Sequence, residues 1–340
     1  MSERNIQIIN CGPDSKCFDR FLQVPQTLYK PELLKLQKLN DGLNRDYLLH
    51  CLVAIADNMP IGRCAIYRNP HLAPDGKTTL ILGNYECQDD MEVASVLLQA
   101  AKNKAKEEGA EMLIGPMNGS TWDAYRFCTN LQNGLFFLEP FHHHWYISQW
   151  EQNGFTAFAN YISTIDRSLV HDSQEVLARE KEMTAQGIRF RSISLEHYES
   201  ELQHLFDFCK KTFGGNFLYS PVSREVFFEK YMAVKPFIVE DHVIIAEYPD
   251  RSIAGFGFSF PDHACSSEKR LVLKTLARDQ QPATKGLGNV LGNMLTRLAK
   301  EKGYTSVIHA LMHVDNRSTG LSGKYSGEPF KEYALYAATT

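Results

Sequence analysis

Residues 270–315 read RLVLKTLARDQQPATKGLGNVLGNMLTRLAKEKGYTSVIHALMHVD, and their pattern occurs twice in the chain. An apolar strand-like run comes first, a segment with helical spacing follows, a glycine ends that segment, and a second apolar run comes last. Residues 78–118, TTLILGNYECQDDMEVASVLLQAAKNKAKEEGAEMLIGPMN, have the same order. We therefore predict two copies of a strand–helix–strand unit. A shift of 194 residues superimposes the identical residues Val96, Leu97, Ala105, Lys106, Glu107, Gly109 and Ile114 on Val290, Leu291, Ala299, Lys300, Glu301, Gly303 and Ile308.

The repeat predicts two domains of the same fold. A helical segment and then two short strands precede each unit, so each domain is expected to be of the α/β class with a mixed sheet. A length of 340 residues also favours two domains. We place an N-terminal domain at 1–167, a connecting segment at the polar, helix-prone 168–187, and a C-terminal domain at 188–340. No Gly/Ser-rich or Pro-rich linker separates the domains, so we expect them to pack together.

Composition excludes several classes of protein. The 36 Lys+Arg and 40 Asp+Glu residues give a net charge of -4, which argues against nucleic acid as the main partner. No stretch approaches the roughly 20 apolar residues that span a bilayer, and the N-terminus lacks a signal-peptide pattern. We expect a cytoplasmic protein without a membrane partner. The eight cysteines are scattered, so we expect most to be buried and reduced, and we predict no metal site.

The segment ATKGLGN (283–289) gives the clearest indication of a ligand-binding site. Gly286 and Gly288 at a helix start let backbone N–H groups approach a phosphate, and Lys285 adds a positive charge. The alternative is that the glycines only permit close packing. A Rossmann site is rejected because only 54 residues follow Gly286, too few for the remaining strands. A Walker loop is rejected because the sequence contains no GKS or GKT.

This arrangement resembles the GNAT acetyltransferase superfamily, whose acyl-CoA site is a splayed strand followed by an R/Q-x-x-G-x-G/A loop at a helix N-terminus. Here that loop runs from Ala283 to Gly288, with Ala283 at the Arg/Gln position. Tyr325 and Phe330 resemble the family's Y-x-x-x-G-F segment, with Pro329 replacing the glycine. WEQNGF (150–155) resembles the same segment in the first half, with tryptophan in place of the tyrosine.

The resemblance implies an acyltransferase that moves an acetyl or related acyl group from acyl-CoA to the amine of a small molecule or peptide. The C-terminal domain would catalyse direct attack, with Tyr325 protonating the departing thiolate. In the first half, Asp89, Asp90 and Glu92 occupy the corresponding loop, so we expect no CoA there. The implied donor contacts are Leu276 and Ala277 with pantetheine, Thr284, Lys285, Gly286, Leu287, Gly288 and Asn289 with pyrophosphate, and Asn316 with the donor or a bound water.

Histidines and aromatic residues supply the remaining candidates. In the strand SVIHALMHVD, the two-residue period places His309 and His313 on one face, and His313 near the ligand-binding end is our candidate base. Positions four apart on a strand lie about 13 Å apart, too far to chelate one ion. We expect His142, His143 and His144 to form an aromatic patch at the domain interface. These histidines follow a long insertion, GPMNGSTWDAYRFCTNLQNGLFFLEP (115–140). Within this insertion, Trp122, Tyr125 and Arg126 are predicted to help wall the acceptor pocket at the domain junction.

Two other functions remain open at this point. A transferase that uses another activated donor, such as an aminoacyl-tRNA, would need a basic groove, which the net charge disfavours. A non-catalytic protein that senses CoA or a related ligand would keep the loop and lose the chemistry. The acceptor, the acyl chain length and the oligomeric state do not follow from the sequence.

Overall fold

The computed structural model describes residues 5–37, 42–314 and 327–340, which form one mixed β-sheet flanked by helices. The first half contains β1 (Gln7–Asn10), α1 (Phe18–Leu28), α2 (Pro31–Gln37), β2 (Leu48–Ala56), β3 (Met59–Tyr67), β4 (Thr79–Cys87), α3 (Met91–Glu107), β5 (Met112–Gly115), β6 (Phe127–Cys128), α4 (Trp145–Gln152) and β7 (Thr156–Asp166). The second contains α5 (Gln174–Ala185), β8 (Arg189–Ser192), α6 (Tyr198–Thr212), α7 (Arg224–Val234), β9 (Val243–Glu247), β10 (Ile253–Pro261), β11 (Arg270–Arg278), α8 (Leu287–Glu301), β12 (Ser306–His313) and β13 (Glu328–Thr339).

The two predicted repeat units are present. Helix α3 follows β4 and precedes β5, and α8 follows β11 and precedes β12. In each unit the two strands pair in parallel, whereas the other neighbouring strands described are antiparallel, so the predicted mixed sheet is confirmed. Both helices bury apolar residues at helical spacing, because one face of each packs on the sheet. These residues include Val93, Leu97, Ala101 and Ala105 in α3 and Val290, Leu291, Leu295 and Ala299 in α8.

The halves exchange their last strands. The strand order is β1-β2-β3-β4-β5-β13-β7-β12-β11-β10-β9-β8, so β13 from the end of the chain lies between β5 and β7. Strand β7, from the first half of the sequence, in turn pairs with β12. The predicted connecting segment, 168–187, contains α5, but the sheet runs through both halves without a break.

The cysteines are mostly free thiols. Cys11 and Cys17 form a disulfide, with their Cα atoms 5.3 Å apart. The other buried cysteines, which form no disulfide among the described residues, are Cys51, Cys64, Cys87, Cys128 and Cys209. Among the helices of the described residues, none has the length and apolar character needed to cross a membrane.

Candidate functional site

Strands β11 and β12 separate partway along their length and leave a wedge between them. Their parallel pairing runs from Arg270 opposite Ser306 to Leu273 opposite His309. Beyond that point β12 continues along β7, while residues 275–278 of β11 pair only with β10 among the described strands. One backbone edge in the stretch that contains Leu276 and Ala277 therefore faces the wedge and not a strand. This edge could hydrogen-bond an extended ligand.

A β-bulge places Lys274 at the point where the wedge opens. Phe258 lies opposite Thr275 and Ser259 opposite Leu273, so Lys274 is the extra residue. Partial burial of the side chain and, secondarily, the charge of Arg126 lower the pKa of Lys274 to about 8, while the charge of Glu139 opposes this shift. Sequence reasoning missed Lys274, although a lysine within the apolar run RLVLKTLAR was a usable signal.

The glycine loop forms an open helix N-terminus. Residues Pro282–Thr284 make a 3-10 turn, and Gly286 begins α8 with a φ of 89°, a conformation that favours glycine. A Cβ atom placed on Gly288 would have no atom within 4 Å apart from its chain neighbours and the backbone of its own helix. The first N–H groups of a helix lack intrahelical acceptors and attract anions. The loop thus has the space and the donors to bind a phosphate.

Arg179 of α5 lies beside this loop. Its Nε donates to Lys285 O at 2.9 Å and its Nη2 to Ala283 O at 2.8 Å, while Nη1 pairs with Glu182 at 2.6 Å. A guanidinium therefore stands next to the position where the family pattern has Arg or Gln and this chain has alanine. Sequence reasoning missed Arg179, because it lies about 100 positions before the loop in a segment assigned to the connection.

Not every predicted loop residue faces outward. Thr284 is fully buried, and its hydroxyl donates to Asp279 Oδ1 at 2.7 Å. Tyr248 donates to the other carboxylate oxygen of Asp279, also at 2.7 Å. The Thr284 side chain therefore fixes the loop from within, and that of Leu287 is buried in the core. Lys285 is exposed, and Gly286, Gly288 and Asn289 are partly exposed.

The corresponding place in the first half is filled by the chain itself. Asp90 caps α3 by accepting from the N–H groups of Glu92 and Val93 at 3.0 and 3.3 Å. A Cβ on Gly83 in β4 would lie 2.1 Å from Met117 O, so the chain after β5 lies directly against that strand. A carboxylate at the helix start and a closed wedge support the prediction that this half binds no CoA.

The two histidines of β12 lie on opposite faces, so the prediction of a shared face is wrong. His309 lies opposite Thr164 and Met312 opposite Ile162, which leaves one extra residue in β12. Leu311, inside this bulge, has a φ of 62°. Because a bulge shifts the alternation by one residue, His309 shares a face with Met312 and not with His313. Burial lowers the pKa of His309 to about 4.

His313 remains the candidate base from its position near the wedge. Its ring lies 5.0 Å from that of Tyr161 and 4.9 Å from that of Phe217, measured between centroids. Asn316 and Tyr325, predicted as a donor contact and the general acid, lie outside the described residues.

The insertion after β5 contacts both halves. Trp122 donates through Nε1 to Ser220 O at 2.9 Å, and its ring lies 5.9 Å from Phe227 of α7. The Arg126 guanidinium lies over the ring of Tyr125 at 3.7 Å and over that of Tyr161 at 4.3 Å. Trp122 thus contacts the second half, whereas Tyr125 and Arg126 pack against Tyr161 of β7, the first-half strand that pairs with β12. That these three residues wall an acceptor pocket stays a prediction.

The histidine cluster packs within the first half and not at the predicted domain interface. His142 Nε2 accepts from the N–H of Cys128 at 2.7 Å. The ring of His143 stacks on Tyr29 and Trp145 at 4.4 and 4.1 Å between centroids. These contacts indicate a structural role, because the rings fill the space between the insertion and the first-half core.

Burial of His142 predicts a loss of stability in mild acid. Burial lowers its pKa to about 4, against about 6.5 for an exposed histidine. Its neutral form therefore stabilises the fold fully above about pH 6.5, and this contribution falls by up to about 1.4 kcal/mol per pH unit towards pH 4. Urea unfolding of wild type and His142→Gln between pH 7 and 4.5 should show a shallower decline in the variant. Equal pH dependences would contradict this assignment.

Comparison with solved structures identifies the fold. No protein-family model and no curated protein matches the sequence. A glucosamine N-acetyltransferase region in a fungal multi-domain GH3 β-N-acetylglucosaminidase is similar over 99% of this chain, with a TM-score of 0.57 and 14% identity. This chain covers 38% of that fungal chain.

Two further structures are similar along their whole length. A tandem GNAT protein from the clavulanic acid biosynthesis pathway has a TM-score of 0.53 and 10% identity, with 98% of each chain covered. A GCN5-related N-acetyltransferase from Sphaerobacter thermophilus has a TM-score of 0.52 and 11% identity, with 98% of this chain and 95% of that one covered. The chain therefore has the fold of the GCN5-related N-acetyltransferases, in the tandem form.

Proposed function

We propose that this protein is an acyltransferase that moves an acyl group from acyl-CoA to an amine, and that its second half binds the donor. The observation that carries the proposal is the combination of the open wedge between β11 and β12 with the open N-terminus of α8. In the first half the equivalent features are closed or capped by a carboxylate. The GNAT fold supports the same assignment.

The residues present suit the chemical parts of CoA. The free edge along residues 274–278 offers backbone groups to the amides of pantetheine. The N–H groups around Gly286 and Gly288, the dipole of α8, Arg179 and Lys285 favour the negative charge of a pyrophosphate. The pantetheine arm and the pyrophosphate of an extended donor would thus be bound by groups that the fold already presents.

The reaction needs orientation and movement of protons. The neutral amine nitrogen attacks the thioester carbonyl carbon, and a C–N bond forms. The C–S bond then breaks, the nitrogen gives up one proton as the amide forms, and CoA leaves as a thiolate that takes a proton. His313 is the proposed acceptor of the proton that an ammonium must lose, and Tyr325 is the proposed acid for the thiolate. The predicted acceptor is a small-molecule or peptide amine.

Acetyl-CoA should raise the melting temperature of the protein. A ligand that binds only the native state at 100 times its Kd stabilises it by about 2.7 kcal/mol. Differential scanning fluorimetry with acetyl-CoA, and with ADP as a control that lacks pantetheine, measures this effect, and a panel of amines with a thiol assay measures CoA release. No shift at millimolar acetyl-CoA would refute the proposal. A shift without CoA release for any amine would favour a ligand-sensing protein.

A further inference from the structure

Arg126 is a buried cation with unused hydrogen-bond donors. Arg126 is 4% exposed, and the rings of Tyr125 and Tyr161 cover its guanidinium. Within the described part of the chain, Nε and Nη1 are buried and have no hydrogen-bond partner. The backbone of Arg126 also has a φ of 70°, which is uncommon outside glycine. A buried guanidinium in this state is costly unless an anion binds it.

The surrounding charges leave a positive excess. Glu139 is the acidic group whose charge raises the pKa of Lys274. Its two carboxylate oxygens, however, accept hydrogen bonds from Lys331 Nζ at 2.8 and 2.7 Å. Tyr333 also donates to Glu139, at 2.8 Å. Among the described residues, neither Lys274 Nζ nor the Arg126 side chain forms an ion pair. Each of these two cations therefore lacks an anion of its own among the described residues.

These cations lie at the inner end of the wedge. Lys274 is the bulge residue where β11 leaves β12, and Arg126 lies over the ring of Tyr161 in β7, the strand that pairs with the other edge of β12. The charge of Arg126 also contributes to the lowered pKa of Lys274. Tyr161, which stacks on Arg126, lies opposite His313 in the sheet. On the proposed function, this is where the acyl group and the amine meet. A carboxylate fits two adjacent cations better than a neutral group, because its two oxygens accept charge-assisted hydrogen bonds.

We propose that Arg126 and Lys274 bind a carboxylate that the substrate carries close to its reacting group. This inference rests on the proposed function and narrows its substrate class. The carboxylate belongs either to the acceptor, as in an amino acid, or to the acyl chain, as in a dicarboxylic acyl-CoA.

Matched ligand pairs test the proposal and separate the two sources. In the acceptor arm, amino acids are compared with their α-carboxamides, with and without CoA, by thermal shift and calorimetry. In the donor arm, succinyl-CoA is compared with butyryl-CoA. We expect the carboxylate member to bind at least tenfold more tightly in one arm. Arg126→Gln and Lys274→Gln should each remove most of that preference, whereas Arg68→Gln, at an exposed arginine paired with Glu108, should keep it.

Each other result counts against the site. Equal affinity within the pairs in both arms would overturn the proposal, and so would a preference that survives in both variants. If Arg126→Gln fails to fold, Lys274→Gln provides the test, because Lys274 is partly exposed. An unchanged preference for the carboxylate ligand in Lys274→Gln would then overturn the proposal. Binding of CoA itself is measured separately in wild type. If the wild-type protein does not bind CoA, the proposed function is refuted. If CoA raises its melting temperature but neither ligand pair shows a preference for the carboxylate, only this inference is refuted.

Discussion

A Gly288→Asp variant should remain folded and lose its stabilisation by acetyl-CoA. Gly288 lies in the first turn of α8 with open space around the position of a Cβ, so the side chain fits without a clash. An aspartate at a helix N-terminus is favourable by about 0.3–1 kcal/mol. The same charge would repel a pyrophosphate bound there. We expect the affinity for acetyl-CoA to fall on the order of 100-fold, which corresponds to about 2.8 kcal/mol.

Gly288→Asn is the matched control, because asparagine has nearly the same shape without the charge. It should retain most of the affinity, and the ligand-free melting temperature of the aspartate variant should equal or exceed that of wild type. Calorimetry with acetyl-CoA compares the three proteins. Undiminished binding by the aspartate variant would place the pyrophosphate elsewhere. Equal losses in both variants would point to the shape of the loop and not to its charge.

The sequence predicts the repeat units well because their signals are local. The apolar spacing of α3 and α8, the glycines that follow these helices, and the apolar strands beside them each lie within one short window. The glycine loop is predicted for the same reason. The backbone at Gly286 has a positive φ, which glycine adopts without strain. The resemblance to the GNAT pattern depends on the spacing of Gly286 and Gly288 in this loop.

The rest of the site depends on contacts between distant parts of the chain. Arg179 reaches the loop from α5, and Arg126, in the insertion of the other half, lies over Tyr161, which pairs with His313 of β12. Bulges at Lys274 and before Met312 re-aim side chains, which is why the strand period misplaced His309 relative to His313. A comparison of the two halves likewise cannot predict the exchange of β7 and β13. Each of these strands could pair in either half without changing the sequence pattern.

A Glu139→Ala variant should lose about 3–5 kcal/mol of unfolding free energy, a large part of the stability of a typical domain. Glu139 and Lys331 form an ion pair in which both side chains are fully buried. Removing the carboxylate leaves the ammonium of Lys331 in the core without its counter-charge, and it removes the acceptor of the Tyr333 hydroxyl. Lys331 lies on β13, and Glu139 lies in the insertion of the first half. The variant should therefore weaken the attachment of the exchanged strand β13 to the first half.

A double variant distinguishes this mechanism from a simple packing defect. In Glu139→Leu with Lys331→Met both charges are absent and much of the volume is kept, and such replacements are often neutral or stabilising. We therefore expect the double variant to recover most of the stability that Glu139→Ala loses, as measured by urea unfolding followed by circular dichroism. A loss below about 1 kcal/mol in the single variant would show that the Lys331 ammonium finds another partner or water. A double variant as unstable as the single one would show that packing around Glu139, and not its charge, stabilises the exchanged strand.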